Sequence, residues 1–317
     1  MGFVIEKSTV DDLMRAAITK ILRTGEAMHP SKGSTRDIHG AVLTLTNPRA
    51  RLSQSEGRGR LFSCLGELTW YLSKKNDVDS ISYYIPAYAE YDENGLVHGG
   101  YGPRLFAFDE VDQVDYIIET LRQRPDSRRA VIQLFDHSDV TTKHLDVPCT
   151  CSLQFLVRGG QLQLIVFMRS NDAWLGLPHD IFCFTMLQEL IANAVGVPVG
   201  SYIHIAGSLH LYEKDIPKAR SFLNEGWQST THQMPEMPHG DQRAAAAQMV
   251  AAEEAIRASS DLANFNYANL PYWSDLTKLL AIYTLIKRKD VDAVRGLQSA
   301  MSSSSYDVFI DERASLI

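Results

Sequence analysis

The chain has 317 residues, 45% of them hydrophobic, with a formal net charge of −7 and a pI near 5.8. That length suits one large domain or two small ones. The acidic balance excludes a general binder of nucleic acid or of membrane surface, since each needs a basic face, but it leaves room for an anionic substrate held by a few local Arg and Lys side chains. The first residues carry no basic segment followed by a long apolar run. No stretch approaches the roughly 18 apolar residues of a membrane span, so a soluble, cytoplasmic protein is expected. The four cysteines, Cys64, Cys149, Cys151 and Cys183, form no C-x-x-C pair, so neither a metal site nor a disulfide framework is expected.

In chain order, Thr9 to Thr24 spaces Leu13, Ala17 and Ile21 as an amphipathic helix capped by Thr9. His29 to Asp37 reads as a mobile loop in which Lys32 and Arg36 are both candidates to hold a phosphate, and Ala41 to Leu45 reads as a strand. Leu61 to Leu72 is a largely apolar helix with one carboxylate, Glu67, which is costly to bury unless it has a partner or a task. Ser80 to Leu105, rich in Tyr and Gly, predicts an irregular pocket-lining loop. Val111 to Arg124 is helical up to Pro125, and Arg128-Arg129 precede a strand from Ala130 to Phe135. Paired arginines there suit either the surface or a bidentate phosphate clamp.

Cys149 follows Pro148 at the start of a strand-like alternation. Cys151–Val157 and Leu162–Met168 are predicted strands joined by a glycine turn at residues 158–161. Asp180 to Val195 is apolar enough for a central helix, and Ser201 to Ala206 is a strand. Beyond it lie a Pro, His and Gly loop from Thr230 to Asp241, a helix from Ala244 to Ala258, and further helix from Tyr272 to Met301, broken at Ser302–Ser305.

Pro148-Cys149 followed by Gln154-Phe155, Arg169-Ser170-Asn171-Asp172, Gly176-x-Pro178 with Ile181, and His210-x-Tyr212 together resemble the thymidylate synthase superfamily. Glu67-Leu68-x-Trp70 and Pro125 to Arg129 fit the same pattern, which spans about residues 60 to 215. The resemblance implies an α+β fold: a large mixed β-sheet flanked by helices in one thymidylate synthase-like domain over 1–317, with a divergent, mostly helical part over 225–317. It also implies a sheet-to-sheet homodimer. Its chemistry begins with a cysteine thiolate adding to C6 of a pyrimidine nucleoside monophosphate, with 5,10-methylenetetrahydrofolate as the one-carbon donor. By this likeness Cys149 is the nucleophile, activated by Arg169, and Glu67 organises proton transfer within a hydroxyl network that includes Tyr101. Arg169, Ser170 and Lys32 would hold the phosphate, joined by Arg128 and Arg129 from the partner subunit. Gln154, His210 and Tyr212 would bind the nucleotide, while Asp172, Gly176 and Trp70 would line the folate site. The terminal Leu316-Ile317 would fold over the site.

The departures point further. Where a synthase has Pro-Phe-Asn-Ile, this chain has Pro178-His179-Asp180-Ile181, and a carboxyl group suits the amino edge of cytosine where an amide suits uracil. Thr150 and Ser208 replace the usual His and Asp. Arg169-Ser170-Asn171-Asp172 and Gly207-Ser208-Leu209-His210 resemble the deoxycytidylate 5-hydroxymethylase branch, in which water captures the exocyclic methylene group. Hydroxymethylation of dCMP is therefore expected, with CMP as substrate, or a thymidylate synthase acting on dUMP, as alternatives. A catalytically silent nucleotide- or RNA-binding relative would not need the nucleophile.

Overall fold

The computed structural model describes residues 3–55, 60–226, 229–259, 261–262, 265–267 and 269–316. Among them, β1 (Phe3–Lys7), β2 (Glu26–Met28), β3 (Thr35–Leu45), β4 (Val131–Gln133), β5 (Thr150–Arg158), β6 (Gln161–Asp172) and β7 (Val199–Tyr212) form one sheet. The order is β1-β3-β7-β6-β5-β4, with β2 paired to β3. β1 runs parallel to β3 and β6 parallel to β7, while the other pairs are antiparallel, so the sheet is mixed.

The period-two alternation of the central strands decides which face is covered. Leu153 and Phe155 of β5, Leu164 and Val166 of β6, and Tyr202 and Ala206 of β7 are buried under helices. The intervening Leu156, Ile165, Ile203 and Ile205 are half-exposed on the other face, and Phe167 is 42% exposed there. That face is apolar, and no helix among the described residues packs on it.

The helices are α1 (Val10–Thr24), α2 (Leu61–Leu72), α3 (Val78–Tyr84), α4 (Tyr101–Phe106), α5 (Gln113–Gln123), α6 (Ser138–Thr141), α7 (Gly176–Val195), α8 (Ile216–Asn224), α9 (Arg243–Ala258), α10 (Pro271–Arg288), α11 (Val291–Ser299) and α12 (Asp307–Ala314). Thr9 caps α1 by accepting from the Asp12 amide at 3.2 Å. Helix α7 is apolar around its whole circumference and lies on β6 and β7, α2 packs on α7, and α9 and α10 pack outside α2. Two layers of helix therefore cover one sheet face. Within them Arg51 and Glu189 form a buried ion pair (Nη2 to Oε2, 2.5 Å), and Glu189 Oε1 also accepts from the Met237 amide at 2.9 Å.

Four stretches differ from the sequence expectation. Residues 80–105 are not an irregular loop but carry the end of α3, a 3-10 turn over Pro86–Tyr91, and α4. Tyrosine packing supplies there what helix propensity does not: Tyr84, Tyr88 and Tyr101 all bury ring surface. The run from Tyr272 to Met301 is two helices, broken where Lys289 takes a φ of +62°. β3 begins at Thr35, which shortens the predicted loop at its C-terminal end, and β1 and β2 come from stretches too short to show a strand alternation. Leu316 is 71% exposed, and Ile317 lies outside the described residues.

Helices α2 and α3 meet where Gly66 faces the ring of Tyr84. A Cβ at residue 66 would fall 2.2 Å from that ring, while the Tyr84 hydroxyl is fixed on Glu253 of α9 at 2.8 Å. Gly66→Ala is therefore expected to overpack this junction and cost about 1–3 kcal/mol, read as a lower midpoint in denaturant unfolding with an unchanged slope.

Candidate active site

Cys149 lies just ahead of β5, beside the bulge that shifts the β5–β6 register between Thr150 and Ser152. The guanidinium of Arg169, on β6, closes this turn: Nε donates to the Pro148 carbonyl at 2.9 Å and Nη2 to the Val147 carbonyl at 3.0 Å. Nη2 also lies 3.8 Å from Cys149 Sγ. From the opposite side the Tyr101 hydroxyl donates to Thr150 Oγ1 at 2.9 Å and accepts from the Thr150 amide at 3.1 Å. Tyr101 thus positions the residue after the thiol. Burial pushes the Cys149 thiol up to about 11; Arg169 and Lys32 pull it down, and Asp146 and Asp180 push it up. The guanidinium acts in the expected sense, but desolvation outweighs it.

Two carboxyl groups enter the same pocket from stacked helices. Glu67, on α2, is buried; the hydroxyls of Tyr71 and Tyr88 both donate to its Oε1, at 3.2 and 2.9 Å. Burial raises its pKa to about 7, against these two hydrogen bonds. Asp180, in the second turn of α7, accepts from Asn171 Nδ2 on its Oδ2 at 2.7 Å. Burial lifts Asp180 well above the usual carboxylate range, and the nearby Glu67 and Asp172 add to the lift. Gly176 belongs to this contact: a Cβ there would stand 3.0 Å from Asn171 Nδ2 and 3.5 Å from Asp180 Oδ2.

A polar row crosses three neighbouring strands, with Asp37 of β3 opposite His210 of β7 and His210 opposite Asp172 of β6. Ser208 donates to Asp37, Ser170 Oγ lies 3.5 Å from His210 Nδ1, and the His210 and Tyr212 rings meet edge to face at 5.2 Å. Asp172 Oδ1 accepts from the Trp174 amide at 2.8 Å, and burial raises its pKa. Beside this row Lys32 Nζ donates to the Tyr91 hydroxyl at 3.1 Å and lies 4.0 Å from Asp146.

The chain thus brings together Cys149, Arg169, Glu67, Asp180, Tyr101, Lys32, Ser170, Asp172, His210 and Tyr212. Of the two N-terminal cations, Lys32 reaches the cluster; Arg36 sits on β3, its Cβ backing onto Gly25. Trp70 differs from expectation: it is 3% exposed, its indole N–H is spent on the Asp77 carbonyl at 3.0 Å, and its ring packs on Tyr88. Gln154 lies on the open sheet face and donates to the Arg128 carbonyl at 3.1 Å. Arg128 and Arg129 are exposed ahead of edge strand β4, with no ion-pair partner among the described residues. Sequence reasoning missed Tyr71, whose signal was its place four residues after Glu67 on one helix, and Tyr88, Asp37 and Asp146, whose only signal was membership of a Tyr-rich or polar stretch. Among the described residues no group of three or more His, Cys, Asp or Glu side chains could hold a metal, and no helix is long and apolar enough to cross a membrane.

The thymidylate synthase family profile matches residues 16–257, most of the chain, and the chain belongs to that family. A deoxyuridylate hydroxymethyltransferase of Bacillus phage SP01 is 30% identical over 215 residues, covering 62% of this chain and 56% of the phage protein, so the match spans little more than half that relative's length. A protein of Methanocaldococcus jannaschii that carries a provisional name as a thymidylate synthase is 31% identical over 231 residues, 70% of this chain and 96% of its own length.

Two measurements follow. The folded chain releases the Glu67 proton near 7, the unfolded chain near 4.5, so folding loses stability as pH rises between those values. The full cost, about 3 kcal/mol, stands above them. Glu67→Gln should therefore raise the thermal midpoint in melts taken well above pH 7 and leave it unchanged near pH 4.5. Alkylation of Cys149 by iodoacetamide, followed by peptide mass spectrometry, should be slow at neutral pH and accelerate toward pH 11. It should be slower still in Arg169→Ala.

Proposed function

We propose that the chain is a folate-dependent deoxycytidylate 5-hydroxymethyltransferase. The observation that carries this reading is Asp180: a half-buried carboxyl, held on one oxygen by Asn171, stands beside the thiol where a synthase has an amide. As a neutral acid it offers a hydroxyl donor for the N3 lone pair of cytosine and a carbonyl acceptor for the N4 amino group.

The chain's own groups account for the proton and bond changes. Cys149 gives up its S–H proton to the Glu67 network as Sγ bonds to C6, which moves the C5–C6 π pair to C5. Glu67, titrating near neutrality and bound on one oxygen, has its other oxygen free to carry a proton. Loss of the C5 proton later gives an exocyclic methylene carbon. Water adds to that carbon and gives up a proton to the Glu67 network, and the C6–S bond breaks to restore the thiol. Methylenetetrahydrofolate, when bound, supplies the one-carbon unit at the formaldehyde level and leaves as tetrahydrofolate. The donor set suits it: the half-buried Asp172 carboxyl, one oxygen committed to the backbone, can accept from the N–H groups of a pterin.

The apolar open sheet face suits a second copy of the chain, with Phe167 at its centre and Arg128 and Arg129 at its edge to reach the partner's phosphate site. The phage relative's name favours a second reading, hydroxymethylation of dUMP by the same steps.

With methylenetetrahydrofolate, dCMP tritiated at C5 should release its tritium, and the product should gain CH2O rather than CH2 by mass spectrometry. Release from dUMP alone would overturn the choice of base, and a gain of CH2 would overturn capture by water. Cys149→Ser should abolish the release. Asp180→Asn should shift kcat/KM toward dUMP by ~10-fold or more, the scale set by mismatched buried hydrogen bonds.

A further inference from the structure

A buried chain of hydrogen bonds runs from the sheet to Asp180. The Tyr202 hydroxyl lies 2.8 Å from His204 Nδ1, His204 Nε2 lies 3.1 Å from Asn171 Oδ1, and Asn171 Nδ2 lies 2.7 Å from Asp180 Oδ2. Tyr202 and His204 are both fully buried, at 0% exposure. The direction of the chain is determined. Among the described residues the Tyr202 hydroxyl has no acceptor other than His204, so it donates to Nδ1. Burial holds His204 neutral, with a pKa lowered to about 3, so it has one N–H, and that hydrogen must sit on Nε2. Nε2–H donates to Asn171 Oδ1, which fixes the amide orientation and turns Nδ2 toward Asp180. Nothing in the covalent mechanism uses these three side chains.

We propose that Tyr202, His204 and Asn171 are positioning residues whose one-way hydrogen bonding keeps the proton of Asp180 on Oδ1, and that this polarity makes Asp180 select an amino-pyrimidine. The inference rests on the role given to Asp180 above and extends it. A carboxylic acid on its own is ambiguous. With the proton on one oxygen it matches the N3 and N4 edge of cytosine, and with the proton on the other it matches N3–H and O4 of uracil. An N–H donor aimed at Oδ2 removes that ambiguity, because Oδ2 then serves as the carbonyl oxygen and accepts twice, from Asn171 and from N4. Uracil would meet a donor facing N3–H and an acceptor facing O4.

Tyr202→Phe frees His204 to place its hydrogen on Nδ1. The Asn171 amide can then turn over and accept from Asp180, which reverses the acid. The readout is the ratio of kcat/KM for C5 tritium release from dCMP and from dUMP. Both rates come from one preparation, so the ratio is insensitive to the fraction that folds. Tyr202→Phe and His204→Leu are each expected to lower the dCMP preference by ~10-fold or more. His204→Gln, whose amide can accept from Tyr202 and donate to Asn171 in the native sense, should restore most of it. Asp180→Asn is measured alongside. If Asp180→Asn leaves the ratio unchanged, the assignment of the base to Asp180 fails. If Asp180→Asn shifts the ratio while Tyr202→Phe and His204→Leu do not, the relay alone is refuted. Equal losses in His204→Leu and His204→Gln would reduce His204 to a packing role and overturn the polarity argument.

Discussion

Two carboxyl groups share one desolvated pocket without a cation between them, and the site depends on how that burden is met. Arg169 spends its donors on the Val147 and Pro148 carbonyls and its charge on Cys149, so it does not neutralise Glu67 or Asp180. Each acid instead stays protonated more readily than in water, and each raises the other's cost of ionising. Both solve the placement of the proton in the same way. Donors approach one oxygen only, Tyr71 and Tyr88 on Glu67 Oε1 and Asn171 on Asp180 Oδ2, which makes the second oxygen the better place for a proton. A carboxylate in the same position would be an acceptor only. The neutral acid is what allows a single group both to donate and to accept toward a base.

The thiol obeys the same rule with the opposite consequence. Dryness that suits the acids raises Cys149, and one guanidinium at 3.8 Å does not offset it. The two aspartates that push the thiol up, Asp146 beside Lys32 and Asp180 beside Asn171, each sit against a cation or a donor that blunts their charge.

The sequence made the chemistry readable where residue type and order together are restrictive. Cys149 after Pro148, Arg169 twenty residues on, and Asp180 in place of an amide could be named from order alone, as could Glu67 as a carboxylate out of place on an apolar helix. Helix α7 was legible because its apolar run has one explanation, a central position. Partners supplied by tertiary structure were not. Tyr88 reaches Glu67 from a 3-10 turn, and His204 reaches Asn171 only because β6 and β7 lie side by side. Neither carries a periodicity of its own. Trp70 was readable only as a motif neighbour of Glu67; its indole N–H bond to the Asp77 carbonyl was not. The net proton affinity of Cys149 also escaped, because burial is a property of the fold and the adjacent arginine is a property of the sequence.

The C-terminal half of the chain completes the argument, because it supplies the dryness. Helix α2 has two flanks, one on α7 and the other under α9 and α10. Without those outer helices Glu67 would be one layer from water, and its pKa would fall back toward that of an ordinary glutamate. The outer layer is fastened by polar bonds at defined points. Glu253 of α9 takes the Tyr84 hydroxyl and pairs with Arg257, and Glu189 of α7 takes both Arg51 and the amide of Met237, in the segment leading to α9. A buried ion pair contributes little net stability, but losing one partner leaves a charge that the interior cannot solvate, so such a pair specifies how the layers sit more than how strongly they hold. Here that register sets the distance of α2 from solvent, and through it the proton affinity of Glu67.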